Sequence, residues 1–250
     1  SLKPWNMIIA ILPSGIKKII YKMMGYKIGK NVKLGIFSAI EGKNVTLRNK
    51  VHLQAFTIIK GKDIRLDTNA RVYSGTVIDV ETFNLGANST IMDSCTAINM
   101  IDPKAKLSIG NNVKIFPECF LDVTSGLYIE DGVGIGGRCL IFTHGSWKSQ
   151  LDGFPVSFGS VKIKKGAWIL WGVLVNPRVT IGEDSLIGGC SVVTKSVPDS
   201  SFAAGSPAKL VLQEGQFGKP LNMEKKEEIF TKILSDFSNY MKYLGYDTAI

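Results

Sequence analysis

Residues 109–141 read IGNNVKIFPECFLDVTSGLYIEDGVGIGGRCLI, and this stretch repeats a six-residue pattern. One position of each six-residue unit is aliphatic, and the position four residues later holds a small side chain or valine. Three units make a longer repeat, which starts at Ile28, Leu47, Leu66, Leu85, Ile109, Ile129, Ile163 and Ile181. A short, fixed period is typical of a solenoid. The pattern therefore predicts about eight stacked coils, each formed by three short parallel strands.

The distances between these starting points predict where the coils are interrupted. Successive repeats are separated by 19, 19, 19, 24, 20, 34 and 18 residues. The two long spacings indicate a short insertion before Ile109 and a longer one at residues 145–160. We therefore predict three segments: an N-terminal helical segment (1–27), a β-helix domain (28–212), and a linker with a C-terminal helix (213–250).

Small side chains recur at one position of the second unit in every coil and predict an inward-facing column. Three of the four cysteines fall in this column, so we interpret them as core packing and not as metal ligands or disulfides. Gly and Asn recur where the strands must turn, as in Gly110-Asn111-Asn112, because these residues tolerate unusual backbone angles. The column consists of Ser38, Thr57, Thr76, Cys95, Cys119, Cys139, Val173 and Ser191.

The two flanks have helical rather than six-residue periodicity. Residues 5–24 predict two short helices interrupted at Pro13-Ser14-Gly15, and Met223 to Tyr246 predicts a helix with one apolar stripe. Three strands per coil predict a triangular prism of stacked coils. We expect the C-terminal helix to pack on this prism or on a neighbouring subunit. The N-terminal helices either cap the prism, with solvated lysines, or rest on an anionic membrane surface.

Charge and hydropathy limit the kinds of ligand and cellular location that this chain can have. The 250 residues carry a net charge of +9, which suits an anionic ligand or surface. No nucleic-acid-binding motif or interleaved run of aromatic and basic residues accompanies it. The apolar stretch from Met7 to Leu12 ends at Pro13 and is too short to cross a bilayer. We expect a cytoplasmic protein, with contact at the inner membrane face as the alternative.

His52 and His144 are the only histidines, and there is no C-x-x-C pair. A zinc site with three histidines, as in the γ-type carbonic anhydrases that share this repeat, cannot form within one chain, so we predict no metal. His144 stands where the sixth coil leaves for the long insertion. It is either a functional residue or a loop histidine that hydrogen-bonds its own turn.

The second half of the chain resembles the hexapeptide-repeat acyltransferases, in particular the sugar O-acetyltransferases of the maltose and galactoside kind. The resemblance rests on His144 followed by Trp168-Ile169, and on PRVTIG (177–182), IGGCSVVTK (187–195) and AGSPAK (204–209). It implies a left-handed parallel β-helix, acetyl-CoA as the acyl donor, and a homotrimer with the donor groove between adjacent prisms.

The same resemblance implies roles for individual residues. His144 would act as the general base, and Asp122, one coil earlier, would orient its ring; Asp122 is alternatively an ordinary corner residue. A backbone N–H of Trp168 or Gly189 would stabilise the oxyanion. The residues expected to bind the acyl donor are Trp168, Trp171, Gly189, Thr194, Lys195 and Lys209, although a lone surface lysine is equally often only solvated.

The sequence thus predicts an acetyl-CoA-dependent O-acetyltransferase that acts on a sugar or glycan intermediate, as in polysaccharide biosynthesis. The expected partners are CoA and a carbohydrate acceptor. Two alternatives stay open: an N-acetyltransferase acting on an amino sugar, and a non-catalytic β-helix scaffold that binds no CoA.

Overall fold

The computed structural model describes residues 4–99, 105–145, 148–213, 217 and 221–246. The chain divides into two compact units, Ser1–Phe217 and Gly218–Ile250. In the first unit the chain visits three parallel sheets in turn, and each strand pairs with its equivalents in the coils before and after it. This is the predicted parallel β-helix.

The first four coils have short strands and tight corners. Their strands are β1 (Lys27–Ile28), β2 (Lys33–Leu34), β3 (Ala39–Glu41), β4 (Asn44–Leu47), β5 (His52–Leu53), β6 (Ile58–Lys60), β7 (Asp63–Leu66), β8 (Arg71–Val72), β9 (Val77–Asp79), β10 (Thr82–Leu85), β11 (Thr90–Ile91) and β12 (Thr96–Ile98).

Four further coils follow, and the sixth carries a hairpin. Their strands are β13 (Lys106–Ile109), β14 (Lys114–Ile115), β15 (Phe120–Asp122), β16 (Leu127–Ile129), β17 (Gly134–Ile135), β18 (Leu140–Ile141), the hairpin strands β19 (His144–Gly145) and β20 (Ser157–Phe158), β21 (Val161–Ile163), β22 (Trp168–Ile169), β23 (Leu174–Val175), β24 (Thr180–Ile181), β25 (Leu186–Ile187) and β26 (Val192–Val193).

A partial ninth turn closes the C-terminal end of the β-helix, beyond the eight coils that the repeat predicts. Val197 forms a parallel bridge with Ile181. Strand β27 (Phe202–Gly205) continues the second sheet on β25, and β28 (Ala208–Leu212) returns antiparallel to β27. The antiparallel strand covers an edge that would otherwise be open to further pairing.

The predicted six-residue period sets the register of the sheets. The residues at which the repeats start are paired with one another in the first sheet, from Ile28 with Leu47 to Ile163 with Ile181. All except Ile28 are buried. Because strands stack about 4.8 Å apart, the eight coils rise by roughly 38 Å around one apolar core.

The small-residue column points inward as predicted, and its polar members also bind backbone. All eight side chains are at most 2% exposed. Five of them donate to a corner carbonyl of the next coil at 2.8–3.2 Å: Thr57 to Tyr73, Thr76 to Met92, Cys95 to Phe116, Cys119 to Gly136 and Cys139 to Leu170. The three column cysteines are free thiols in the core.

The N-terminal segment forms two helices, α1 (Pro4–Ile11) and α2 (Ser14–Met23), with the predicted break at Pro13. Buried Lys17 of α2 donates from Nζ to the carbonyl oxygens of Gly35 at 2.6 Å and Ser38 at 2.9 Å. Burial lowers the pKa of Lys17 to about 8. The ammonium group thus satisfies carbonyls at the first corner that no preceding coil can reach.

The insertion at 145–160 begins as a two-stranded hairpin, in which His144 pairs with Phe158. A 3-10 turn, Gln150–Asp152, lies between the two hairpin strands. Most of the other predicted insertion, residues 100–104, lies outside the described residues.

The second unit consists mainly of α3 (Met223–Tyr243), whose first turn is capped by Asn222 Oδ1 accepting from the Lys225 N–H at 2.9 Å. The helix ends three residues before the predicted Tyr246, because Gly245 adopts a left-handed conformation with φ 83°. The packing partner predicted for α3 stays a prediction. Across the described parts of the chain, no helix has the length and apolarity needed to span a bilayer.

Candidate active site

The corners between the third and first sheets form an edge that carries the strongest site candidate; we call it the His144 edge. Strand β15 of coil five pairs with β18 of coil six, with Leu121 opposite Ile141. Asp122 ends β15, and His144 follows β18 by three residues, so the two side chains meet at this edge. His144 Nδ1 lies 2.7 Å from Asp122 Oδ2.

The Asp122 carboxylate is held by a complete set of donors. Oδ1 accepts from the Thr124 N–H at 3.0 Å and hydroxyl at 2.6 Å. Oδ2 accepts from the Thr143 N–H at 2.7 Å, the Thr143 hydroxyl at 3.0 Å and the His144 N–H at 2.9 Å. Burial would raise the pKa of Asp122, but the hydrogen bonds from Thr124, His144 and Thr143 outweigh it and hold that pKa below its usual value.

The ionised carboxylate determines the tautomer of His144. Because Asp122 can only accept a hydrogen bond, Nδ1 of a neutral imidazole must carry the proton, which leaves the lone pair on Nε2. Among the described residues, no donor or acceptor contacts Nε2. The His144 side chain is 18% exposed, so a small molecule can reach it. This arrangement can take a proton from a bound hydroxyl.

The hairpin fixes the other face of the imidazole. The rings of His144 and Phe158 stack with centroids 5.9 Å apart and planes at 20°. The Phe158 carbonyl accepts from Arg178 Nε at 2.8 Å, which ties the hairpin to the next coil. Together with Asp122, these contacts restrict rotation of the His144 ring.

Sequence reasoning missed Thr124, Thr143, Phe158 and Arg178. The two threonines leave a signal, since Thr143 precedes the candidate base and Thr124 is two residues from the candidate carboxylate. Short polar residues beside an acid often hydrogen-bond to it. Phe158 leaves none, because the hairpin register that brings it to His144 is not encoded in the repeat.

Two of the predicted donor-binding residues, Trp171 and Gly189, lie at the corners between the second and third sheets, which we call the Gly189 edge. They are one coil apart, and the Cys190 N–H beside Gly189 donates to the Trp171 carbonyl at 2.9 Å. A Cβ atom at Gly189 would meet only the Trp171 oxygen at 3.4 Å and Leu170 Cβ at 3.9 Å. The surface over Gly189 is therefore open.

The two backbone donors proposed for an oxyanion differ in availability. The Trp168 N–H donates to the Ser185 carbonyl at 2.8 Å as part of the sheet. The Gly189 N–H has no acceptor among the described residues. Of the two, only Gly189 can donate to a ligand without breaking a strand pair.

The tryptophan rings lie on glycines of the preceding coil. Trp168 is 43% exposed and covers Gly134, while Trp171 is 51% exposed and covers Gly137. A Cβ atom on either glycine would collide with the ring. Trp171 also packs at 53° to Phe116, with ring centroids 6.1 Å apart. Trp171 thus forms an exposed aromatic wall at the Gly189 edge, whereas Trp168 lies three residues earlier, on strand β22 of the second sheet.

The remaining predicted donor-binding residues gather at the C-terminal end of the β-helix. Thr194, Lys195 and Lys209 line one cavity of about 380 Å³ together with Pro207 and Leu210. Thr194 and Lys195 follow β26 and so belong to the His144 edge, two coils beyond His144. The structure therefore brings these three residues together at one cavity. Thr194 and Lys195 lie across the third sheet from Gly189, whereas Lys209 lies on β28 of the second sheet, where it pairs with Ala204.

The histidines are also far apart. His52 lies in coil two and His144 in coil six, which separates them by roughly 19 Å along the axis. Within the described ranges, no three His, Cys, Asp or Glu side chains come close enough to hold a metal ion.

Comparison with known proteins places the chain among acetyltransferase-like sequences. No protein-family model matches it. It is 35% identical over 117 residues to a Schizosaccharomyces pombe protein named as an acetyltransferase, covering 46% of this chain and 45% of that protein. It is 32% identical over 124 residues to the galactoside O-acetyltransferase of Escherichia coli, covering 50% of this chain and 47% of that enzyme. The chain thus spans about half the length of the curated relatives it matches.

A solved structure supports the fold. The chain superposes with a TM-score of 0.56 on LpxA, a UDP-N-acetylglucosamine acyltransferase from Bacteroides fragilis, at 19% identity, covering 74% of this chain and 69% of that one. The fold is the left-handed parallel β-helix that the repeat resemblance implies. In sequence and fold, the chain is similar to the hexapeptide-repeat acetyltransferases.

Proposed function

We propose that this protein transfers an acetyl group from acetyl-CoA to a hydroxyl group of a sugar or glycan intermediate. The observation that carries the proposal is the 2.7 Å contact between His144 Nδ1 and Asp122 Oδ2, with Nε2 free of described partners. The likeness to a galactoside O-acetyltransferase supports a carbohydrate hydroxyl as the acceptor.

The chemistry follows from the tautomer. Nε2 of His144 takes the proton from the acceptor hydroxyl while the hydroxyl oxygen bonds to the acetyl carbon of acetyl-CoA. The carbon–sulfur bond then breaks, and the proton on Nε2 passes to the departing CoA sulfur. Asp122 stabilises the transient imidazolium through Nδ1–H, and Thr124 and Thr143 keep the carboxylate in place. No acyl-enzyme is required.

The residues predicted to hold CoA have suitable chemistry. Lys195 and Lys209 beside one cavity supply cations for phosphate groups, and Thr194 adds a hydroxyl. Gly189 leaves an open surface for a thin pantetheine chain and has a backbone N–H available for the thioester oxygen. The Trp171 ring gives this groove an apolar wall, and Trp168 adds an exposed ring on the neighbouring sheet.

The division of these residues between two edges favours a site shared by two copies. We infer that a homotrimer sets the Gly189 edge of one prism against the His144 edge of the next, so that each groove takes residues from both. Mixing inactive His144→Ala and Gly189→Trp chains tests this, because about a quarter of the sites in randomly mixed trimers then regain both intact edges. A mixture as inactive as its components contradicts a shared site.

An acceptor screen with radiolabelled acetyl-CoA tests the proposed activity. We expect label on a sugar or oligosaccharide, released by mild alkali because the bond is an ester. An alkali-stable product formed only on amino sugars would instead identify an N-acetyltransferase. The absence of both transfer and calorimetric CoA binding would leave a non-catalytic scaffold.

A further inference from the structure

We propose that the N-terminal end of the β-helix is a docking surface for an anionic lipid bilayer. The surface, which we call the N-terminal face, consists of the exposed side chains of α1 and α2 and of the exposed rings of Phe37 and Phe56. Exposed apolar side chains and positive charge on this face favour a bilayer, and neither depends on the proposed catalytic activity.

The two helices cap the first coil with only a small part of their apolar surface. In α1, Ile9 and Ala10 are buried, whereas Met7, Ile8 and Ile11 are 61%, 67% and 59% exposed. In α2, the buried side chains are Lys17 and Tyr21, whereas Ile19 and Met23 are 62% and 83% exposed. A capping role therefore leaves large apolar side chains of both helices exposed, and such exposure marks an interaction site.

Two aromatic rings extend this face onto the prism. Phe37 and Phe56 stack with centroids 5.0 Å apart, and both line an apolar groove of about 450 Å³ together with Met7, Ile8 and Ile11. Both adopt left-handed backbone angles, with φ of 55° and 57°. The equivalent corners of the later coils share this conformation but carry no aromatic ring; they hold Gly75, Ser94, Glu118, Arg138, Gly172 and Cys190. Because the fold does not require an aromatic residue at this corner, the two exposed phenylalanines point to a function outside the fold.

The positive charge of the protein is concentrated in the same region. Residues 1–62 contain 12 of the 30 basic residues but only 1 of the 21 acidic residues. The remainder of the chain, with 18 basic and 20 acidic residues, is close to neutral. The exposed lysines around the N-terminal face include Lys22, Lys27, Lys30, Lys33 and Lys50.

This combination fits a bilayer better than a second protein copy. A two-fold contact between two copies would bring one strongly basic face against another, which Coulomb repulsion opposes. Phe37 and Phe56 lie at corners of the same edge as Gly189. In a trimer of parallel prisms, the neighbouring edge would therefore bring basic corner residues against this face, which the same repulsion opposes. These corner residues are Lys43, Lys60 and Lys62. A lipid surface takes up the apolar side chains among its acyl chains while its phosphate headgroups neutralise the lysines. Either signal alone gives weak binding, and together they give stable binding.

Flotation with vesicles of 70% phosphatidylcholine and 30% phosphatidylglycerol tests the proposal. We expect the full chain to float with these vesicles, to float poorly with pure phosphatidylcholine, and to dissociate at high salt because the attraction is screened. Removing three charges with Lys22→Gln, Lys30→Gln and Lys33→Gln should lower the partition coefficient by about a hundredfold. Ile8→Ser with Ile11→Ser should lower it by a similar factor.

Matched variants separate the N-terminal face from overall charge and hydrophobicity. Lys114→Gln, Lys162→Gln and Lys165→Gln remove the same charge from exposed sites elsewhere, and Leu151→Ser with Phe154→Ser removes exposed apolar side chains from the insertion. These controls should float like the unaltered chain. The proposal is overturned if the full chain does not float, if test and control variants float equally, or if the N-terminal variants alter only the oligomeric state.

Discussion

The N-terminal end and the His144 edge each bury one charged side chain, and they use it differently. Lys17 is surrounded by acceptors, Gly35 O, Ser38 O and Ser38 Oγ, and closes the first coil. Asp122 is surrounded by donors, and one of them is an imidazole whose other nitrogen has no described partner. We therefore expect the loss of Lys17 to affect stability and the loss of Asp122 to affect the proposed proton transfer.

The largest expected effect comes from breaking the contact between Asp122 and His144. In Asp122→Asn the neutral amide no longer stabilises the imidazolium that forms when Nε2 takes the proton. Its NH2 group must face either the backbone N–H groups of Thr143 and His144 or that of Thr124. We expect kcat to fall by about 10²–10⁴-fold while the circular dichroism spectrum is retained. Turnover within threefold of the unaltered enzyme would show that Asp122 is only a corner residue.

The next prediction concerns two exposed lysines, Lys195 and Lys209, and the binding of acetyl-CoA. Replacing both Lys195 and Lys209 with Ala should raise KM for acetyl-CoA by about 10- to 100-fold, because two phosphate contacts are lost. The KM for the acceptor should change little. Steady-state kinetics with each substrate varied in turn measures both constants, and equal increases would mean that these lysines do not bind the donor.

The effect of removing the buried lysine should appear in stability and not in turnover. Lys17→Met keeps the aliphatic packing but leaves the Ser38 carbonyl without its Lys17 donor, while the Gly35 carbonyl keeps only its bonds from Ser38. We expect the free energy of unfolding to fall by about 1–3 kcal/mol, with kcat unchanged. Denaturant titration measures the loss. An increase in stability would show that desolvating the ammonium group outweighs its hydrogen bonds.

Lys17 should also make the free energy of unfolding depend on pH. The pKa of Lys17 is about 8 in the folded state, below the value of about 10.4 for an unfolded lysine. Between these values the unfolded chain binds more protons, so the contribution of Lys17 to stability rises with pH across this window. Lys17→Met should lack this rise. Stability curves for the two proteins that stay parallel from pH 8 to 10.4 would contradict the assignment.

The repeat predicted the fold in detail because one physical rule acts in every coil. Ile28, Leu47, Leu66 and their successors must all face the core, so their spacing fixes strands, register and corners together. The partial ninth turn was not predicted, because its antiparallel return at Ala208–Leu212 follows no six-residue period.

The candidate site was less predictable because its residues lie where the six-residue repeat is interrupted. His144 stands out because it interrupts the repeat, and Asp122 because it lies one coil below. The stack of Phe158 on His144 depends on a hairpin whose pairing leaves no periodic trace. The sequence did not show that the Trp168 N–H is already used in the sheet. The pairing of Trp168 with Leu186 brings this N–H to the Ser185 carbonyl.

The two histidines provide the most direct test of the proposed general base. His144→Ala should retain calorimetric CoA binding and lose about 10²–10⁴-fold in kcat, because the proton acceptor is gone while the donor contacts remain. His52→Ala is the matched control; His52 lies on β5 between Lys33 and Arg71, and its removal should leave kcat unchanged. If His144→Ala turns over as fast as His52→Ala, His144 is not the base and the proposed mechanism is wrong.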